Sequence, residues 1–261
     1  MRGNVKTKGI LLFAAAAAVC MVLSQGAQAR NLEQIKADGK IIVATEGSYP
    51  PFNYYQGDKL TGFDVDLAEA IARKLGLKVE WKAARFDGLM SGLRQDRWDL
   101  VMASLGINDS RAKDVTFTAA QYCSSGVIMS KDPKVSSAGS LAGKAVAVQS
   151  GTSYVDFLKT IPGIKEVKTF PENKDAQSAL QAGLVDAWVT DRLSVKAVLA
   201  ANPKSGLKQS EYLFNEKIAG AVKKNNDALA KAVDTAVADL MADGTYKALS
   251  EQYFKEDVRC R

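Results

Sequence analysis

TEGSYPPFNYYQGDKLTGFDVDLAEAIARKL, residues 45–75, is the stretch that decides the fold. Just before and into it, IIVAT (41–45) is apolar and β-branched, which predicts a buried strand. The strand gives way to an acidic, aromatic loop carrying Glu46, Tyr49, Pro50, Pro51 and Phe52. Leu67, Ile71 and Leu75 then recur at helical spacing, with Ala68 and Ala72 beside them, which predicts an amphipathic helix. Asp64, Asp66 and Glu69 crowd its start, where the helix macrodipole favours negative charge, so Asp64 and Asp66 read as structural. The unit therefore places a charge and flat apolar rings at a strand's carboxyl end. In open α/β sheets that edge is where ligands bind.

Working outward, apolar and amphipathic runs alternate. Further strands are predicted at LKVEWK (77–82), DLVMAS (99–104), CSSGVIMS (123–130), KAVAVQS (144–150), EVKTF (166–170), DAWVT (186–190) and IAGAVKK (218–224). Leu229, Val233, Val237 and Leu240 mark a long helix that Gly244 ends. Strand–helix alternation of this kind predicts an α/β chain with mostly parallel sheets covered on both faces. SGLRQDRWDLVMAS (91–104) and SALQAGLVDAWVTD (178–191) share a plan, with Asp99 and Asp186 before a strand and Ser104 and Asp191 at its end. Any parallel α/β chain repeats such units by chance, yet two similar lobes would make the same pattern and bring Ser104 and Asp191 together across a cleft. The Gly- and Ser-rich KDPKVSSAGSLAGK (131–144) reads as a linker.

Composition narrows the chemistry. Arg2, Lys6 and Lys8 precede an apolar run from Ile10 to Leu23, and Ala27-Gln28-Ala29 follows, which predicts a signal peptide over residues 1–29 cleaved after Ala29. Val19 is a poor residue before a lipidated cysteine, which argues against lipidation at Cys20. Without the three leader cations, 32 basic residues face 29 acidic ones, a net +3, too mild to argue for nucleic acid. Cys123 and Cys260 remain; the exported compartment favours a disulfide over two free thiols. The chain has no histidine, which excludes Ser-His-Asp and Cys-His catalysis and removes the commonest metal ligand. No cofactor is expected.

The segment GFDVDLAEAIARKL and the run Ser104-Leu105-Gly106-Ile107-Asn108-Asp109-Ser110-Arg111 resemble the signature elements of the bacterial solute-binding proteins for polar amino acids, solute-binding family 3. The resemblance implies a two-lobed periplasmic-binding-protein fold of type II, each lobe a mostly parallel sheet with flanking helices, joined by two crossing strands. It implies lobe one at 30–122 plus 220–261 and lobe two at 123–219. It also implies a monomeric periplasmic receptor that hands a small amino acid to an inner-membrane ABC permease.

A free amino acid carries a carboxylate and an ammonium, and a pocket must pair both because an unpaired buried charge costs several kcal/mol. Arg111 has a planar fork suited to a carboxylate; pattern alone would equally pair it with Asp109 or Asp114, and the resemblance selects the ligand. In QSGTSYVDF (149–157) a turn at Gly151 leads into a helix start at Thr152 or Ser153, whose N–H groups suit an anion or an ordinary cap. By resemblance Asp191 takes the ammonium, with oxygens near Ser104 and Gly106; the plain alternative is an ion pair with Arg192. Tyr49 and Phe86 would sandwich the ligand, although Phe86 equally reads as core with Leu89 and Leu93. Glu46 and Gln149 fall at the ligand side chain, and Glu46 suits a side chain that donates hydrogen bonds or carries positive charge. Lysine, arginine, glutamine and cystine all remain open. The competing readings are an exported cyclohexadienyl dehydratase-like enzyme on the same scaffold, with Glu46 as acid, and a sensor acting through a protein partner.

Overall fold

The structure, a computed structural model, describes residues 30–260. The expected signal peptide lies outside the described residues. In chain order the sheet strands are β1 (Lys40–Thr45), β2 (Lys78–Ala83), β3 (Leu100–Val101), β4 (Val115–Phe117), β5 (Tyr122–Ser130), β6 (Ala145–Gln149), β7 (Glu166–Phe170), β8 (Ala187–Asp191), β9 (Phe214–Ile218) and β10 (Ala221–Lys223). They form two sheets, each the centre of a lobe. The first runs β2-β1-β3-β10-β4 and the second β7-β6-β8-β5, with β9 and the short strand Lys208–Gln209 also paired to β5; a small separate sheet is formed by Ser48–Tyr49, Asn53–Gln56 and Lys59–Thr61.

Each sheet has a parallel core of three strands, β2-β1-β3 and β7-β6-β8. The strand beside each core is antiparallel, β10 in the first sheet and β5 in the second. Each sheet is thus mostly parallel, with a single strand running against the rest. The added strands are those by which the chain passes between lobes, and a strand returning from the other lobe enters from the opposite end.

Both faces of both sheets are buried, as alternation requires. Ile41 and Val43 of β1 join one apolar cluster, and Ala44 joins the cluster on the other face. In the second sheet Trp188 faces one cluster while Ala187 and Val189 face the other. Each large aliphatic side chain removed from water this way stabilises the fold by about 1.5–3 kcal/mol.

The helix Phe63–Lys74 starts where the sequence places it, and its glycine is a steric necessity. Gly62 has φ of +121°, and a β-carbon there would lie 2.3 Å from the carbonyl oxygen of Phe52. The close approach lets Phe63 N–H donate to Pro51 O (3.0 Å) and Asp64 N–H to Phe52 O (2.8 Å). Asp64 is more than a helix-start charge, because it is fully buried. Asp66 accepts from the Tyr253 hydroxyl (2.5 Å).

Two sequence readings change. IAGAVKK is not one strand: β9 ends at Ile218 and β10 starts at Ala221. The break falls where the chain leaves the second sheet for the first, with Ala219 N–H donating to Leu105 O (3.1 Å) and Gly220 N–H to Thr118 Oγ1 (3.0 Å). The stretch 131–144 joins β5 to β6 within one sheet and includes a short 3-10 turn, Ala138–Leu141, so it links strands rather than lobes. Cys123 and Cys260 form a disulfide with Cα atoms 4.8 Å apart, tying the C-terminal tail to the start of β5. Among the described residues no helix is long and apolar enough to cross a membrane.

Candidate functional site

The wall from lobe one is built on the loop after β1. Buried Asp64 accepts from Asn53 Nδ2 (3.0 Å), and Asn53 Oδ1 accepts from Gly47 N–H (2.9 Å), so the helix start fixes the backbone beside Glu46. Tyr49 stacks on Phe52 with centroids 5.2 Å apart and an interplanar angle of 17°, which covers one of its faces. Phe86 opens the helix Phe86–Arg94; it packs with Leu89 and Leu93 and also lies 5.7 Å beneath the Arg111 guanidinium. Core residue and cavity wall are therefore both true of Phe86. Ser104 takes φ of +52°, a conformation uncommon outside glycine, at the turn that leads to Gly106.

Arg111 is held by a short helix, Asp109–Asp114, whose cap Asn108 accepts from Arg111 N–H (2.8 Å). Its guanidinium donates to Gly106 O (2.6 Å) and, across the lobes, to Gly151 O (2.9 Å). Asp109 and Asp114 are not its partners; Asp114 pairs with Arg94 instead.

The wall from lobe two starts at the end of β6. Gln149 Nε2 donates to Glu46 Oε1 across the cleft (2.6 Å). Thr152 precedes the helix Ser153–Lys159, but its hydroxyl donates back to Gln149 O (2.8 Å) rather than capping the helix. Ser153 Oγ donates to Glu216, which sits on β9.

Nine of the ten residues expected from sequence line this one cavity: Glu46, Tyr49, Phe86, Ser104, Gly106, Arg111, Gln149, Thr152 and Ser153. Tyr154, Asn173 and Glu216 complete the lining and were missed. Asp191 is the exception. It ends β8 directly at the start of the helix Arg192–Ala201, and its Oδ1 accepts from Leu193 N–H (2.7 Å) and Ser194 N–H (3.4 Å). The Tyr154 hydroxyl approaches its other oxygen (3.5 Å), so the carboxylate stands behind the cavity wall. A helix beginning at the next residue thus shares the carboxylate that the sequence reading assigned to the ligand. Arg192 pairs with Glu256, not with Asp191.

Of the missed residues, Glu216 had a signal. In FNEKI, Phe214, Glu216 and Ile218 share one face, and the burial pattern puts that face inward. An acid in the inward register of a strand is an anomaly that alternation alone exposes.

The electrostatics follow from burial. Burial pushes the Glu46 carboxyl up to about 7, opposed by the Ser48 and Gln149 hydrogen bonds. Burial raises Glu216 as well, opposed by the Ser153 hydrogen bond and the Arg111 charge. Asp64 and Asp191 are each pushed up to about 6 by burial. Burial lowers the Arg111 guanidinium below its ordinary value, with Glu216 the largest opposing influence. The cavity thus offers one fixed cation and two acids that gain from a cationic guest.

Two mixed α/β lobes enclosing one polar cavity, lined from both sides and crossed by the chain at its base, define a ligand-closing binding protein. The chain belongs to the bacterial extracellular solute-binding proteins, family 3, whose model matches residues 41–256. It is 34% identical over 234 residues to the L-cystine-binding protein TcyJ of Escherichia coli K12, covering 87% of each chain. An ancestral arginine-binding protein bound to arginine matches at 36% identity and TM-score 0.80, over 83% of this chain and 98% of that one. The ancestral amino acid-binding protein AncCDT-1, a precursor of cyclohexadienyl dehydratase, matches at 29% identity and TM-score 0.79, over 85% and 98%.

Proposed function

We propose that this protein is a periplasmic receptor that captures a polar L-amino acid between its lobes and presents it to an inner-membrane ABC permease. In this reading lobe one is 30–122 plus 220–261, lobe two is 123–219, and the leader directs export. The single observation that carries it is the convergence of Arg111, Glu46 and the 149–153 turn on one interlobe cavity. Arg111 exchanges its bonds to Gly106 and Gly151 for the ligand carboxylate, bidentately. Glu46 exchanges its bond to Gln149 for a donor or cation on the ligand side chain, which fits the basic amino acids, glutamine and cystine. Those exchanges favour the closed form, and the difference in contacts between open and closed supplies the closing free energy. The relatives named for cystine and arginine support an amino-acid ligand and a non-enzymatic role.

The dehydratase-like reading has one observation in its favour, a buried carboxyl at Glu46 raised to about 7 that could donate a proton. The test is a panel of the common L-amino acids plus cystine and prephenate, read by thermal shift, calorimetry and phenylpyruvate formation. Strong stabilisation by one or a few amino acids is expected, since a ligand at 100 times its Kd adds about 2.7 kcal/mol. Phenylpyruvate formation without amino-acid binding would reverse the assignment.

A further inference from the structure

The tail beside the Cys123–Cys260 disulfide joins the lobes a second time, away from the cavity. After the helix Thr245–Phe254, residues 255–260 run to the disulfide at the start of β5. Phe254 and Val258 are buried in the apolar cluster of lobe one, and Cys123 N–H donates to Val258 O (3.0 Å). Between these anchors Glu256 meets the other lobe. Arg192 Nη1 donates to its Oε1 (3.1 Å), and Lys196 Nζ reaches the same oxygen (3.4 Å) and the carbonyl of Phe254 (2.9 Å).

Arg192 and Lys196 stand one turn apart on the helix Arg192–Ala201, so they share a face and grip the tail together. That helix follows β8 directly and lies on the seam between the lobes: Leu193 is buried in the lobe-one cluster, and Ser194 Oγ donates to Pro50 O (3.3 Å). The bonds Gln149–Glu46 and Arg111–Gly151 join the lobes at the cavity; the tail joins them outside it. On a free tail such half-exposed ion pairs would count for little, because ordering the chain offsets the attraction. Cys260 is bonded and only four residues beyond Glu256, so the carboxylate stays near both cations and most of that cost is removed.

The bond itself can be reached. Both cysteines are half-buried, and Cys123 borders an open groove of about 610 Å³ that Arg192, Lys217 and Arg259 also line. Cations there favour the approach of a thiolate.

We propose that residues 254–260 are a redox-controlled strap: with Cys123 and Cys260 joined, the tail holds the helix Arg192–Ala201 and keeps the lobes closed, and an external dithiol that reduces the bond releases the strap and weakens capture of the ligand. The reagent's thiolate attacks one cysteine sulfur, a mixed disulfide forms, and the other cysteine leaves as a thiolate that takes a proton. The reagent's second thiol then displaces the remaining cysteine. The protein gains two electrons and two protons, and the dithiol becomes a disulfide. The loss of affinity rests on the amino-acid-receptor reading; the change in lobe placement does not.

The test reads capture and lobe placement separately. Mature protein is compared oxidised and reduced by dithiothreitol, beside Cys123→Ser/Cys260→Ser and Glu256→Ala, with melts confirming that each is folded at the assay temperature. Calorimetry uses L-arginine, L-glutamine and, without dithiol, L-cystine; small-angle X-ray scattering gives the radius of gyration without ligand. Reduction, the double serine variant and Glu256→Ala are each expected to weaken binding by about threefold to tenfold, the scale of a small charge network. Reducing Glu256→Ala should add little further loss, and dithiol should leave the double serine variant unchanged. Unchanged affinity on reduction, tighter binding, or a loss that Glu256→Ala does not share overturns the strap. If oxidised wild type binds none of the three amino acids, the receptor reading fails instead and scattering alone judges the strap: a larger radius in reduced protein and in Glu256→Ala supports it, and an unchanged radius overturns it.

Discussion

Asp99 in lobe one and Asp186 in lobe two make the same hydrogen bonds in different surroundings. Asp99 N–H donates to Ile42 O (2.9 Å), and Ile42 N–H donates back to the Asp99 carboxylate (2.7 Å). Asp186 does the same with Ala145, at 2.8 Å each way. Each aspartate thus locks the start of the third parallel strand to the first, which sets the order β2-β1-β3 in one sheet and β7-β6-β8 in the other. Asp99 is buried and also receives Arg30, whereas Asp186 is exposed. The other ends of the two strands diverge. After β3 the chain turns at Ser104 and offers backbone to the cavity; after β8 it enters a helix that takes the Asp191 carboxylate. The repeat conserves the scaffold and leaves the site asymmetric.

The largest effect should come from cutting the tie between the halves. Cys260 follows the helices that pack on lobe one, and Cys123 is the second residue of the strand that leads into lobe two, at a separation of 137 residues. In the chain-entropy account a loop of that size is worth about 5 kcal/mol, and measured losses are roughly 2–5 kcal/mol. Cys260→Ser, or reduction, is expected to lower the unfolding free energy measured in urea by an amount in that range. A shift below about 1 kcal/mol would mean that the lobes hold each other without the tail.

Ligand grip should be unequal between lobes. Arg111→Ala removes the single cation lining the cavity and is expected to weaken amino-acid binding by about 2–5 kcal/mol without unfolding the protein. Ser153→Ala, on the facing wall, removes a neutral hydroxyl and should cost about 1 kcal/mol. Calorimetry on both variants decides whether the carboxylate seat belongs to lobe one; equal losses would return it to both.

The two aspartates should separate in stability although their strand bonds match. Asp99→Ala removes the acceptor of the part-buried Ile42 N–H and leaves Arg30 with only Asp38 and the Lys40 carbonyl, so a loss of about 2–3 kcal/mol is expected. Asp186→Ala exposes its donor to water and should cost about 1 kcal/mol or less. Urea unfolding of both variants measures the difference, and equal costs would show that burial does not matter to this bond.

Much of this was legible before any coordinates. Strand positions follow from β-branched runs, and parallel strands of one sheet share a carboxyl edge, which brings Glu46 and Ser104 together; Gln149 ends a strand of the second sheet, whose edge faces the same cavity. Asp191 stands apart from the cavity lining for a local reason: its helix begins one residue later, and its carboxylate accepts from that helix's first N–H groups. Glu216 was half legible: alternation in FNEKI marks it as inward, but which cavity it reaches depends on antiparallel pairing with a strand some ninety residues earlier. The one reversed strand in each sheet was hidden likewise, since no local pattern states a strand's direction.

The smallest expected effect is a pH slope shared by the lobes. Burial holds Asp64, in lobe one, and Asp191, in lobe two, up at about 6, and Glu46 between them at about 7. Their ordinary values are 3.8, 3.8 and 4.5, so between about pH 4 and pH 7 the native state binds more protons than the unfolded chain. Stability contributed by these groups is then fully present below their ordinary values and falls as pH rises through the native ones. Melting temperature without ligand is expected to decline from pH 4.5 to pH 7.5 on this account. Asp64→Asn and Asp191→Asn should each flatten the lower part of the decline, and Glu46→Gln the part nearest pH 7. A basic amino acid placed against Glu46 should pull its value down and release a proton on binding near pH 7, seen as calorimetric heats that depend on the buffer's ionisation enthalpy. Heats independent of buffer would mean that no cation reaches Glu46, and would shift the ligand toward an uncharged side chain.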